Sequence, residues 1–253
     1  MNPSLRLILF CHARSGSTSL CRMLNLHPQL NILEEPLSED FTKWHPEERD
    51  YAELINDIDS LNEQMDHIFS RYNGIKVLHF ELRPPRFIYL LGLPAYTVIF
   101  LRRRNLLQTV VSSELAEQST KWTIGDLERP IAETYADLKP LSIEQVQGQM
   151  EALQRELELF DAVISHRPAG TYLKLWYEDL YMVPADKRLA TVGSICRFLE
   201  LAPIDDEQIH AYLDPSEAKM NNASTYRLIP NAHEIDQQLG SDATGWLFDQ
   251  NAN

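Results

Sequence analysis

Runs of mainly apolar residues recur along the chain at Leu7–Cys11, Ile75–Phe80, Val98–Leu101 and Tyr172–Trp176. Runs without polar alternation are the signature of strands covered on both faces, as in a parallel sheet. Between them the apolar positions recur every three or four residues, the period of a helix with one buried face. Leu20, Met23 and Leu24 mark the first such helix, and Leu106, Leu107, Val110 and Val111 mark another. A packing helix is expected from Asp50 to Tyr72, and a long one through Met150, Leu153, Leu157, Phe160 and Ile164, opened by the Ser142/Gln145 capping pair. Leu189 to Leu199 reads as a core helix, and Asp205 caps a short one to Leu213. Pro84-Pro85 predicts a non-helical crossing before Tyr89–Leu93, Tyr177 to Leu180 a turn, and the stretch beyond Asn231 a polar tail. Strands alternating with helices predict an α/β fold, a central mostly parallel sheet flanked by helices.

The junction between the first strand and the first helix carries the chemistry. Ser15, Gly16, Ser17, Thr18 and Ser19 break the apolar run with small hydrogen-bonding residues. A tight loop that opens a helix points several backbone N–H groups and the positive end of the helix dipole at one spot, which suits an anion. Arg14 adds a full charge at its mouth. The same residues equally describe an ordinary strand-to-helix turn with serine caps, so the loop alone leaves both readings open.

Composition narrows the partners. With 37 acidic against 23 basic residues the net charge is -14, which argues against nucleic acid or an anionic membrane as the main partner. Cys11, Cys21 and Cys196 lack metal-ligand spacing and read as buried free thiols of a cytoplasmic protein. No run reaches membrane-spanning length, so no stable membrane insertion is expected. The 253 residues suffice for a single domain, with no linker-like stretch to divide them.

Against that acidic background, Arg102, Arg103 and Arg104 at the end of a strand call for an anion to offset their repulsion, or for surface carboxylates. Ser112 lies eight residues after Arg104, about two helical turns on. Glu34 and Glu35 follow a short extended stretch, and alternation would let only one of them face the Arg14 loop. His79 falls near the C-terminal end of a core strand, the edge at which open α/β sheets bind ligands. Lys121–Pro140, irregular and holding Trp122, Gly125 and Pro130, is the candidate for a substrate-facing or mobile segment.

Three of these segments resemble, in order, the motifs of sulfotransferases that use 3′-phosphoadenosine 5′-phosphosulfate (PAPS). RSGSTSL followed by LHPQLNILEEPL is similar to the 5′-phosphosulfate loop of the carbohydrate and bacterial glycolipid branch. VIFLRRRNLLQTVVSS resembles the 3′-phosphate motif, and TYLKLWYEDLYMVPADKRLATVGSICRFLEL the third recurrent segment. Together they span residues 5–201, leaving 202–253 to complete the site of one domain over 1–253 with a P-loop-like nucleotide-binding fold. The resemblance implies that Arg14, Ser15, Gly16, Ser17, Thr18 and Ser19 hold the 5′-phosphosulfate, Arg104 and Ser112 the 3′-phosphate, and that Tyr177 lies near the adenine. Arg14 stands where the cytosolic branch has lysine. The base implied is Glu35 by likeness to the carbohydrate branch, or His79 by likeness to the small-molecule one, and the spacing from loop to Glu-Pro favours Glu35.

What the resemblance implies is in-line sulfuryl transfer without a metal to a hydroxyl or amine of a sugar, lipid or other small acceptor. A P-loop kinase is the rival enzyme, but the Gly-x-x-x-x-Gly-Lys-Ser/Thr spacing is missing. An inactive nucleotide-binding module is the non-enzymatic alternative. Neither the acceptor, the oligomeric state nor a role for Tyr226 and Arg227 is legible in the sequence.

Overall fold

The computed structural model describes residues 5–122, 131–213 and 221–248. Part of the segment expected to face substrate, residues 123–130, lies outside them. The chain packs into two compact units, Met1–Arg102 with Phe160–Leu213, and Arg103–Leu159 with Asp214–Asn253.

The first unit is built on five parallel strands: β1 (Leu7–Cys11), β2 (Ile32–Glu34), β3 (Gly74–Leu78), β4 (Thr97–Arg102) and β5 (Tyr172–Trp176). Their order is β2-β3-β1-β4-β5, so β1 is central and its neighbours lie on opposite sides. The α/β architecture read from the apolar runs is therefore present. Each residue of β1 is fully buried. Leu7, Leu9 and Cys11 share one face of the sheet with α1 (Ser17–Leu24), α9 (Tyr177–Tyr181), α10 (Ala185–Phe198) and α11 (Asp206–Leu213). The other face is aromatic. Phe10 lies 5.0 Å from Phe87, 5.3 Å from Phe100 and 4.9 Å from Phe160, ring centre to ring centre. Truncating such a ring to alanine costs about 3–5 kcal/mol, so both faces fix β1, and with it the loop that follows.

Several helices differ from expectation for local reasons. Asp50–Tyr72 is not one helix but α3 (Tyr51–Leu54) and α4 (Ile58–Phe69), because Asp57 and Ser60 form a reciprocal capping box that starts a new helix. Pro84 and Pro85 do not block a helix. They begin α5 (Pro84–Gly92), at positions whose N–H groups have no intrahelical partner. Tyr177–Tyr181 is a helical turn, and the expected polar tail contains the helix Ala232–Leu239.

The second unit holds α6 (Leu106–Ser119), α7 (Ile131–Thr134) and the first part of α8 (Ile143–Ser165). The Asn105 side chain caps α6 by accepting from the Gln108 N–H at 2.8 Å, and its own amide donates to Trp246 O at 2.8 Å. Leu107 N–H donates to Thr244 O at 3.1 Å. Gly245, at φ 84°, passes so close to Asn105 that an added Cβ would fall 2.3 Å from its Cγ. These bonds dock the C-terminal segment on the start of α6. Buried Glu114 joins α6 to α8 by accepting from Gln145 at 3.3 Å and Gln149 at 2.6 Å.

The three cysteines are buried free thiols, as read from their spacing. Among the described residues no helix is long and apolar enough to cross a membrane.

Candidate active site

The strand order places a topological switch at the C-terminal end of β1, where open parallel sheets form their ligand crevice. The segment there is His12 to Gly16. Arg14 and Gly16 both have left-handed backbone, at φ 61° and 77°. Between them Ser15 is fully buried and its hydroxyl donates back to His12 O at 2.6 Å. The serine thus braces the loop from below rather than capping the helix.

Gly16 is the N-cap of α1, and no side chain caps it. That distinguishes α1 from α4 and α6, whose first-turn amides are taken by Asp57 and Asn105. An α-helix leaves its first N–H groups without intrahelical partners, so α1 keeps them for whatever meets its N-terminus, with its dipole positive there. Glycine is required at the turn on two counts. The φ is left-handed, and an added Cβ would sit 2.7 Å from Tyr181 Cε2. Tyr181 also donates its hydroxyl to Gly16 O at 2.8 Å. Tyr177 packs against the same glycine and lies 5.0 Å from Tyr181, so α9 supports the loop with two rings.

Glu34 and Glu35 do not alternate as extended residues would. β2 ends at Glu34, and Glu35 has a left-handed backbone at φ 51°. A non-glycine residue held there marks strain that the surroundings must support. Here the Glu35 N–H donates to Lys76 O at 2.7 Å, and the Lys76 side chain forms an ion pair with the Glu35 carboxylate. Lys76 is 1% exposed, whereas the Glu35 side chain is 20% exposed. The Lys76 ammonium also lies 3.3 Å from Thr18 Oγ1, in the first turn of α1. Glu34 pairs instead with Arg22 on the outer face of α1, at 3.4 Å. Both carboxylates therefore end beside α1, but only Glu35 is linked to its N-terminal turn. Lys76 is held charged despite burial, its ammonium raised above the usual range by Glu35 and Glu34.

His79 follows β3 directly, its N–H donating to Cys11 O at 3.0 Å. Burial brings its imidazole down to about 4, so it is neutral near pH 7. Its ring stacks on that of His12, the residue after β1, which burial and then His79 and Arg102 hold well below the usual histidine range. Glu81 lies just beyond, its Oε1 accepting the Leu78 N–H at 2.7 Å. Burial, and after it the Glu35 charge, pushes the Glu81 carboxyl well above the usual carboxylate range, which favours its protonated form.

Of the residues singled out in the sequence, Arg14, Ser15, Gly16, Ser17, Thr18, Ser19, Glu35, His79 and Tyr177 all belong to the sheet unit, around the C-terminal ends of β1, β2, β3 and β5. Arg104 and Ser112 belong to the second unit. Arg104 is exposed and precedes α6, while Arg103 is buried and bonds Gln108. Ser112 is buried along α6, and its hydroxyl accepts from Asn221 at 2.8 Å. Arg102 points elsewhere, over the Trp176 ring at 4.0 Å and onto Asp161. Its role in the arginine run is thus structural.

Lys76, His12 and Glu81 were not picked out from the sequence. Lys76 left one signal, a charge in the middle of an apolar strand. His12 and Glu81 left none, since their significance depends on what packs against them.

No family model matches the chain, and no curated protein matches it. Among solved structures it is similar to mouse sulfotransferase SULT7A1 complexed with PAP, at 16% identity over 86% of this chain and 67% of that one, TM-score 0.46. A sulfotransferase from Alicyclobacillus acidocaldarius is similar at 15% identity over 91% and 88%, TM-score 0.47. The sulfotransferase domain of the curacin biosynthetic pathway is similar at 17% identity over 93% and 97%, TM-score 0.41. At these identities the chemistry of the site has to be read from its own residues.

Proposed function

We propose that this chain is a PAPS-dependent sulfotransferase acting on a hydroxyl or amine of a small acceptor, of the sugar or lipid kind, with Glu35 as the base. The observation that carries the reading is the uncapped N-terminus of α1 at the end of the central strand, with an ion-paired carboxylate tied to the same turn through Lys76 and Thr18. A site that pairs an anion cradle with a charged acceptor of protons suits transfer of an anionic group to a protic nucleophile.

When bound, PAPS supplies a sulfuryl group on a good leaving group. Arg14 and the first-turn amides of α1 would hold its 5′-phosphosulfate, and Arg104 with Ser112 its 3′-phosphate. Fixed donors of this kind stabilise charge that develops on the leaving oxygen. Glu35 takes the acceptor's proton as the new bond to sulfur forms and the bond to the nucleotide breaks. His79 is neutral near pH 7, burial having brought its imidazole down to about 4. The Glu35 carboxylate is one-fifth exposed and tied to the α1 turn through Lys76, whereas the His79 ring stacks on His12.

The test has two arms. Thermal shift with adenosine 3′,5′-bisphosphate, and separately with ATP and magnesium, separates this reading from a kinase: stabilisation is expected by the first and not by the second. Transfer of labelled sulfate from PAPS to a panel of sugar, steroid and aryl hydroxyls and amines then separates an enzyme from an inactive nucleotide-binding module. Stabilisation by ATP with magnesium alone, or no transfer to any acceptor, would overturn the proposal.

A further inference from the structure

Lys76 is the residue of this site whose chemistry the reading above leaves unused. It occupies the middle of β3, beside Leu9 of the central strand, on a face otherwise filled by leucine, isoleucine and cysteine. Burying an ammonium there is costly unless it is paired and hydrogen-bonded. The ammonium makes both contacts, an ion pair to Glu35 and a hydrogen-bond contact to Thr18 Oγ1 at 3.3 Å. The two partners are not interchangeable with anything nearby. Glu34 is engaged by Arg22, and the thiols of Cys11 and Cys21, pushed up by burial, are neutral. Burial pushes the Glu81 carboxyl well above the usual carboxylate range. The carboxylate in ion-pair contact with Lys76 is Glu35.

We propose that Lys76 is the positioning residue of the site: its ammonium bridges Glu35 to Thr18 and so fixes the carboxylate beside the turn of α1 that receives the donor. The proposal rests on the sulfotransfer reading, for it supposes that Glu35 is the base. Lys76 itself touches neither donor nor acceptor. It holds the Glu35 side chain in one orientation, beside the α1 turn, despite the left-handed backbone on which that residue stands.

The decisive experiment compares wild type with Lys76→Met and Lys76→Arg. Two measurements are made on each: binding of adenosine 3′,5′-bisphosphate, and kcat and KM with an acceptor that wild type turns over. The methionine variant should bind the bisphosphate within threefold of wild type, while kcat falls at least tenfold with little change in acceptor KM. Arginine, which keeps the positive charge, should restore much of kcat. A merely structural lysine would leave kcat within threefold of wild type in a folded methionine variant, and that result overturns the proposal while the sulfotransfer reading stands. Should the methionine variant fail to fold, Thr18→Val removes the tether to α1, and bisphosphate binding is measured beside kcat because Thr18 also lies in the proposed donor loop. A tenfold loss of kcat with bisphosphate binding kept within threefold supports the bridging role, whereas an unchanged kcat, or a loss that only follows weakened bisphosphate binding, overturns it. Wild type that neither binds the bisphosphate nor transfers sulfate overturns the reading and the proposal together.

Discussion

His12 and His79 stack face to face, their ring centres 4.6 Å apart and their planes inclined by 26°. They cap the C-terminal ends of β1 and β3, and protonating either would place a cation on the other with Arg102 behind His12. Both rings are therefore kept neutral in the folded state, His79 at about 4 against an ordinary 6.5. The unfolded chain binds the extra proton between those values. The stability this contributes is present above pH 6.5 and lost as the pH falls toward 4, by about 2–3 kcal/mol for His79 alone. Urea unfolding of His79→Gln and wild type at pH 7.5 and pH 5 checks this. The wild-type midpoint should drop on acidification by more than that of the variant, and parallel drops would count against the buried neutral ring.

Glu81 titrates with the opposite sign. Its carboxyl holds its proton to higher pH when folded than in the unfolded chain, where it ionises above about 4.5. Its contribution is present below that pH and is lost as the pH rises. Glu81→Gln keeps a carbonyl oxygen for the Leu78 N–H and removes the ionisation. The variant should be more stable than wild type at pH 8, with the advantage shrinking toward pH 4.5, as read from the same urea midpoints. An advantage that does not vary with pH would mean that the carboxyl is charged in the folded protein.

How much of this was legible in the sequence depends on range. The strands at Leu7–Cys11, Ile75–Leu78, Val98–Leu101 and Tyr172–Trp176 announce themselves because burial on both faces leaves no polar alternation, and the loop at Arg14–Ser19 follows from where the first run ends. Local exceptions were harder. The Asp57/Ser60 box looks like any polar pair until the helix breaks there, and Pro84-Pro85 reads as a block or a helix start depending on which side the helix lies. Contacts between distant segments were out of reach. Lys76 finds Glu35 41 residues away, and nothing in either neighbourhood names the other. The strand face that buries Lys76 and the left-handed turn at Glu35 both had to form before the pair had meaning.

Gly16 should tolerate no side chain. Alanine there would pay about 1–2 kcal/mol for the left-handed backbone and would drive its Cβ to 2.7 Å from the Tyr181 ring. Gly148, exposed inside α8 with nothing near its Cβ position, is the control. Alanine at that site should stabilise the protein by about 0.5–1 kcal/mol. Differential scanning calorimetry with and without adenosine 3′,5′-bisphosphate separates the effects. Gly16→Ala should lower Tm and abolish the ligand-induced rise, whereas Gly148→Ala should raise Tm and keep it. An unimpaired ligand response in Gly16→Ala would remove the α1 turn from the proposed donor site.

Arg104 and Arg103 are adjacent in sequence yet differ in what their loss should do. Arg103 is buried and bonds Gln108, whose amide in turn donates to Trp246 O at 2.8 Å, so its replacement should destabilise the second unit. Arg104 is exposed, and its removal should leave Tm nearly unchanged. If Arg104 meets the 3′-phosphate, Arg104→Ala should weaken binding of adenosine 3′,5′-bisphosphate by about 1.5–3 kcal/mol, the worth of one charged contact, or about 10- to 150-fold. Adenosine 5′-phosphosulfate lacks that phosphate, and its affinity should barely move. Isothermal titration of both nucleotides against both proteins gives the comparison as a double-difference cycle. Equal losses for the two would show that Arg104 acts on a part of the nucleotide they share, and the 3′-phosphate assignment would pass to another residue.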